Sequence, residues 1–111
     1  MKFLFLYRNS ADPQAQPSPA EMQAGYMKWK NWMDKYAKEI LAQPPKGSGP
    51  KPGGAAAVVR GGAVTDGPYV EGKEIVAGWS FIEAESLARA VEVAKEVPMF
   101  PSVEIIEITS Y

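Results

Sequence analysis

The chain has 111 residues, 46% of them hydrophobic, and a formal net charge of −1, which fits one globular domain burying roughly two thirds of its unfolded surface. Its 12 basic and 13 acidic side chains are scattered, so charge gives no argument for nucleic acid or an acidic membrane as a partner. Cys and His are both absent, which excludes disulfides, thiol catalysis and Cys-ligated zinc and removes the commonest general base and metal ligand near neutral pH.

Neither a cofactor nor a metal is therefore expected, and acid–base chemistry would fall to carboxylates, Lys or Tyr. The apolar run after Met1 is too short for a signal peptide and is broken by Arg8. No stretch approaches the length of a transmembrane span, and the expected location is cytoplasmic.

Residues 2–8 predict a strand with Phe3, Phe5 and Tyr7 on one side and Leu4 and Leu6 on the other. Residues 9–17 are polar and carry Pro13 and Pro17, which predicts a loop. Ser18-Pro19-Ala20-Glu21 then reads as a helix start, with Ser18 as N-cap, Pro19 in the first turn and Glu21 closing a capping box. Met22, Tyr26, Trp29, Met33, Tyr36 and Ile40 follow at alternating steps of four and three, a helical stripe of about five turns.

Residues 43–54 hold four Pro and four Gly with little to bury, and read as a mobile connection. Residues 55–60 predict a short strand, residues 61–74 a turn region, and residues 75–82 a further strand with Trp79 and Phe81 opposite Gly78 and Ser80. A second helix capped by Ser86 presents Leu87, Ala90, Val91 and Ala94 on one face and ends by Pro98, and residues 103–108 form a last strand.

The order strand, helix, strand, strand, helix, strand predicts an α+β fold of ferredoxin-like βαββαβ type. In that fold a four-stranded antiparallel sheet carries both helices on one face, with the first and third strands side by side at its centre. The first strand is apolar on both faces, and the last sets Val103 and Ile105 against Ile106 and Ile108. One domain covers only one face of such a sheet, so a homodimer packed sheet to sheet is expected.

The turn region supplies the most specific stretch. Thr65-Asp66-Gly67-Pro68-Tyr69-Val70-Glu71-Gly72-Lys73-Glu74 sets a Gly-Pro turn beside a tight group of charges. It resembles the signature of the YCII-related proteins of the DGPF type, Asp-Gly-Pro-Phe followed after a few residues by Lys-Glu, with Tyr69 standing for Phe. The resemblance implies a single domain over residues 1–111 of the dimeric α+β barrel superfamily. It further implies an accessory or regulatory role, since such domains occur beside or fused to extracytoplasmic sigma factors. Some YCII-like enzymes use a His near the start of the first helix, in a Pro-x-His context, paired with an Asp. Here Pro19-Ala20-Glu21 stands there, so that dyad does not carry over, and Glu21 reads as a cap.

Five residues are candidates for a ligand site. Asp66 is an acidic residue in a Gly-Pro turn, although the carboxylate of an Asp routinely caps the backbone of such a turn. Lys73, between Glu71 and Glu74, is placed as a clamp or as an ordinary surface ion pair. Arg8 and Arg60 end strands and suit an anion; the layout implied by the resemblance sets Arg8 at the opposite end of the sheet from Arg60 and the 65–74 turn. Trp32 lies off the main helical stripe and faces a pocket, a partner or solvent, whereas Tyr26, Trp29 and Tyr36 at helical spacing read as core.

Two functions stay open. One is a small-ligand-binding or accessory module. The other is a cofactor-free lyase, isomerase or monooxygenase-like enzyme using a carboxylate in place of His. A strongly shifted titratable group in a cleft would favour the second, and an apolar cavity the first.

Overall fold

Alternation in the first strand, β1 (Lys2–Ser10), decides which face of the sheet the helices cover: Phe3, Phe5 and Tyr7 are buried, whereas Leu4 and Leu6 on the other face are half-buried. The computed structural model describes residues 1–10, 17–47, 49–61, 63–66 and 74–109, and of Asp66 the backbone alone. Helix α1 (Pro19–Lys35) begins at Ser18 with both halves of the capping box in place. After α1 come β2 (Gly49–Pro50), β3 (Ala56–Arg60), β4 (Ala63–Asp66), β5 (Glu74–Glu83), α2 (Leu87–Lys95) and β6 (Ser102–Thr109). Ser86 caps α2 by accepting from the Arg89 N–H, and Ala90, Val93 and Ala94 form its buried side.

The protein is α+β, with an antiparallel sheet in the order β4-β3-β6-β1-β5 and β2 also beside β6. Six strands stand where four were expected. The first and third of the four expected strands do pair, as β1 and β5, but β5 is an edge and β6 and β1 hold the centre. Gly61, at φ 55°, opens the extra hairpin of β3 and β4.

The helix-covered face is one core. Phe3, Phe5, Tyr7, Ile82, Val103 and Ile105 from the sheet meet Trp32, Tyr36, Ala90, Val93 and Ala94 from the helices. The inward line of α1 is therefore Gly25, Trp29, Trp32 and Tyr36, which keeps Trp29 and Tyr36 of the expected stripe and adds Trp32. Met22, Tyr26 and Met33 face outward, and Trp32 is 4% exposed with its Nε1–H donating to the Val93 carbonyl at 3.0 Å. α1 stops before Ile40, which bridges to Ile82 instead.

The Pro/Gly-rich connection is not the loose linker that its composition predicts. Gly49 and Pro50 pair with Thr109 and Ile108, and the Lys51 N–H donates to the Glu107 carbonyl at 3.0 Å. The chain leaves β6 for three residues and returns when the Ala55 N–H donates to the Glu107 carboxylate at 2.9 Å. That bond, helped by Lys51 Nζ at 3.2 Å, holds the Glu107 carboxyl below the usual carboxylate range. The blister closes on itself at Gly54, where a Cβ would stand 2.9 Å from the Lys51 carbonyl oxygen and 3.2 Å from Glu107 Cβ. Gly54→Ala is expected to cost about 1–3 kcal/mol in urea unfolding. Gly49→Ala, with nothing within 4 Å of its Cβ, is the matched control and should change little. Equal stability of the two variants would mean that the blister does not close as described.

Candidate functional site

Two features gather at one end of the sheet, one on each face, and the directions of the strands bring them there. β1 and β3 both run antiparallel to β6, so they finish at the same end, and Arg8 and Arg60 both lie opposite Ser102. The layout that set them at opposite ends is thereby corrected. β5 starts at this end too, with Glu74 opposite Ser10.

On the face without helices these residues form a polar cluster. Arg8 pairs with Glu104 at 2.9 Å, the side chains being 11% and 4% exposed. Arg60 pairs with Glu74 at 2.6 Å, and the Ser102 hydroxyl donates to the other Glu74 oxygen at 3.1 Å. Charges at this depth persist because each has an opposite charge beside it. Arg8 and Arg60 are thus engaged by this chain's own carboxylates. Leu4, Leu6, Phe81 and Ile106 continue the same face as half-buried apolar residues, and Trp79 stands 65% exposed at its edge. Lys73 and the Gly67-Pro68-Tyr69 turn lie outside the described residues, and Asp66 is described only as the residue opposite Ala57.

On the helix-covered face the same end opens into two adjoining clefts. The larger, about 510 Å³, is lined by Asn9 and Pro17, by Glu21, Met22, Gly25 and Lys28 along α1, and by Met99 and Phe100. The smaller, about 240 Å³, lies between Tyr7, Tyr26, Trp29, Gly78 and Trp79, and it shares Met99 and Phe100 as a wall. Its aromatic lining is ordered by ring contacts. Tyr7 stacks on Phe100 with centroids 5.1 Å apart, and Trp29 meets Tyr7 edge-on at 5.1 Å.

Met99 is the dividing side chain and holds an unusual backbone. Its φ of 74° lies in the left-handed region, which costs a residue other than Gly on the order of 1–3 kcal/mol. The side chain crosses α1 at Gly25, where a Cβ would stand 3.0 Å from Met99 Cγ. A glycine inside α1 and a strained residue in the loop before β6 therefore fit one another.

Four titratable groups line the clefts. The Tyr7 hydroxyl donates to Ser80 at 2.8 Å, and burial pushes its pKa up, well beyond any neutral-pH role as a base. Glu21 accepts from the Ser18 N–H in the capping box. Tyr26 and Lys28 are exposed, and Lys28 makes no ion pair or hydrogen bond with the other described residues. No group of three or more His, Cys, Asp or Glu suited to a metal occurs among the described residues.

Of the five sequence candidates, the structure joins Arg8 and Arg60 in the polar cluster and sets Trp32 in the core. Sequence reasoning missed the pair Met99-Phe100. The signal was the bracketing of these two apolar residues by Pro98 and Pro101, which stiffens a loop that has no need of large side chains unless they reach a neighbour.

No helix among the described residues is long and apolar enough to cross a membrane. The YCII-related domain matches residues 1–110, so the chain belongs to the YCII-related family. No curated protein matches the chain.

Proposed function

We propose that this YCII-related domain is a homodimeric module of the DGPF type that binds a small molecule in the clefts between α1 and the end of the sheet, in an accessory or regulatory role. The observation that carries the reading is the pair of clefts, largely aromatic on one side, with Glu21 the one carboxylate lining them among the described residues. Tyr7 stays protonated, and Glu21 is spent on a cap. Such a lining binds and orients a ring more readily than it moves a proton. The enzymatic alternative would need a carboxylate in the cleft, and Glu21 is the one lining it among the described residues.

Dimerisation is supported by the face without helices, where Leu4, Leu6, Phe81 and Ile106 remain half-buried. A ferredoxin-like pairing of two sheets into an α+β barrel would cover it, and the nearly balanced charge suits a cytoplasmic dimer.

Light scattering at micromolar concentration is expected to give twice the chain mass, and a folded monomer would sink the dimer. For the ligand, a nuclear magnetic resonance screen of ring-containing fragments is expected to give binders that weaken in Tyr26→Ala and Trp79→Ala. Both residues are more than half exposed, so neither change threatens the fold. Fragments that bind these variants and the parent alike would place any binding elsewhere.

A further inference from the structure

We infer that the two clefts are one composite site for a planar aromatic carboxylate, with the ring held on the aromatic side, the carboxylate toward Lys28, and Met99 setting how long a ring system can enter. The inference rests on the ligand-binding reading above and gives it a chemical class.

The ring follows from the small cleft. Five of its lining residues are aromatic, and it carries no charged residue. An apolar cavity of about 150 Å³ accommodates benzene, so about 240 Å³ suits a fused pair of rings. Tyr26 and Trp79 are exposed at 57% and 65%, and a bound ring would remove part of both from water.

The anion follows from the large cleft. Its charged lining residues are Glu21 and Lys28, two turns apart on α1. The Glu21 carboxylate already accepts the Ser18 N–H, whereas the Lys28 ammonium has no ion pair or hydrogen bond with the other described residues. Lys28 is therefore the cation of this cleft without a partner among the described residues, and the side chain of Asn9 on the same lining, its Oδ1 engaged by the Ser10 N–H, adds amide donors. An organic cation in the same pose would bring its charge toward the Lys28 ammonium, and a neutral ring would leave that ammonium unpaired.

The limit on length follows from Met99. Its side chain lies against Gly25 and walls both clefts, so it stands where a longer ring system would have to pass. Its left-handed backbone aims the side chain there, and a substitution to Gly removes the divider without disturbing φ.

Three probes of one shape test the class by calorimetry on the intact protein: 2-naphthoate, naphthalene-2-carboxamide and 2-naphthylmethylammonium. The naphthoate is expected to bind about three- to fivefold more tightly than the carboxamide, the scale of one exposed ion pair, and the ammonium most weakly. Lys28→Gln should erase the difference between naphthoate and carboxamide while leaving carboxamide affinity unchanged. Met99→Gly should admit anthracene-2-carboxylate, which the parent protein excludes. Equal affinities for naphthoate and carboxamide, or a preference that survives Lys28→Gln, would overturn the anionic class but leave the cleft as a ring site. Anthracene-2-carboxylate bound equally with and without the Met99 side chain would overturn the divider. Failure of all three naphthalene probes to bind at millimolar concentration would overturn both the class and the cleft reading beneath it.

Discussion

Replacing Glu104 with Ala is expected to destabilise the protein by about 3–5 kcal/mol, measured as a lowered midpoint of urea unfolding. The effect is large because of what remains. Arg8 is 11% exposed and cannot be deprotonated, so without Glu104 at 2.9 Å its charge stays buried beside no partner. Its Nε already lacks a hydrogen-bond partner, and removal of Glu104 leaves the guanidinium with still fewer. The double change Arg8→Met with Glu104→Leu removes both charges and keeps apolar volume, and is expected to recover most of the loss. A Glu104→Ala cost below about 1 kcal/mol would mean that water reaches the pair as it reaches an exposed one. The same experiment bears on the dimer. If a partner sheet covers this face, the loss should grow with protein concentration, since the double variant and the parent would dimerise and the single variant would not.

Much of this architecture is legible in the sequence, and the failures share a cause. Ser18 and Glu21 act through hydrogen bonds within one turn, so the capping box and the start of α1 follow from four consecutive residues. The two apolar faces of β1 follow from simple alternation. The inward line of α1 does not, because Met22, Tyr26, Met27 and Met33 wrap apolar residues around the helix and leave two rotations with nearly equal apolar content. Tertiary context chooses between them: Met99 crosses at Gly25, and the Trp32 N–H finds the Val93 carbonyl on α2. The blister at 51–54 was hidden likewise. Its Pro and Gly residues signal a turn, but the groups that tie it down belong to β6, more than fifty residues away. The polar cluster of Arg8, Arg60, Glu74 and Glu104 needs the strand order itself, which no local pattern carries. The Gly61-Gly62 pair between Val59 and Val64 was, by contrast, a readable hairpin signal.

Trp32→Ala is expected to cost about 3–5 kcal/mol, the range for removal of a buried large aromatic. Trp32 stacks on Trp29 at 5.1 Å and stands edge-on to Tyr7 at 6.4 Å, so its loss opens a hole beneath the aromatic wall of the small cleft. Trp32→Phe keeps most of that volume but leaves the bond to the Val93 carbonyl unmade, and a cost of about 1 kcal/mol from that bond is expected on top of a smaller packing loss. Trp79→Ala supplies the opposite case. At 65% exposure it should shift stability by no more than about 0.5 kcal/mol, yet weaken the binding of any ring held in the cleft. The two tryptophans thus separate core from cleft: Trp32, which its place off the main stripe set facing a pocket, a partner or solvent, is core, and Trp79 lines the cleft. Should Trp32→Ala melt with the parent and lose only ligand binding, while Trp79→Ala unfolds the chain, the roles of the two would be exchanged and α1 would have to sit on the sheet in its other rotation.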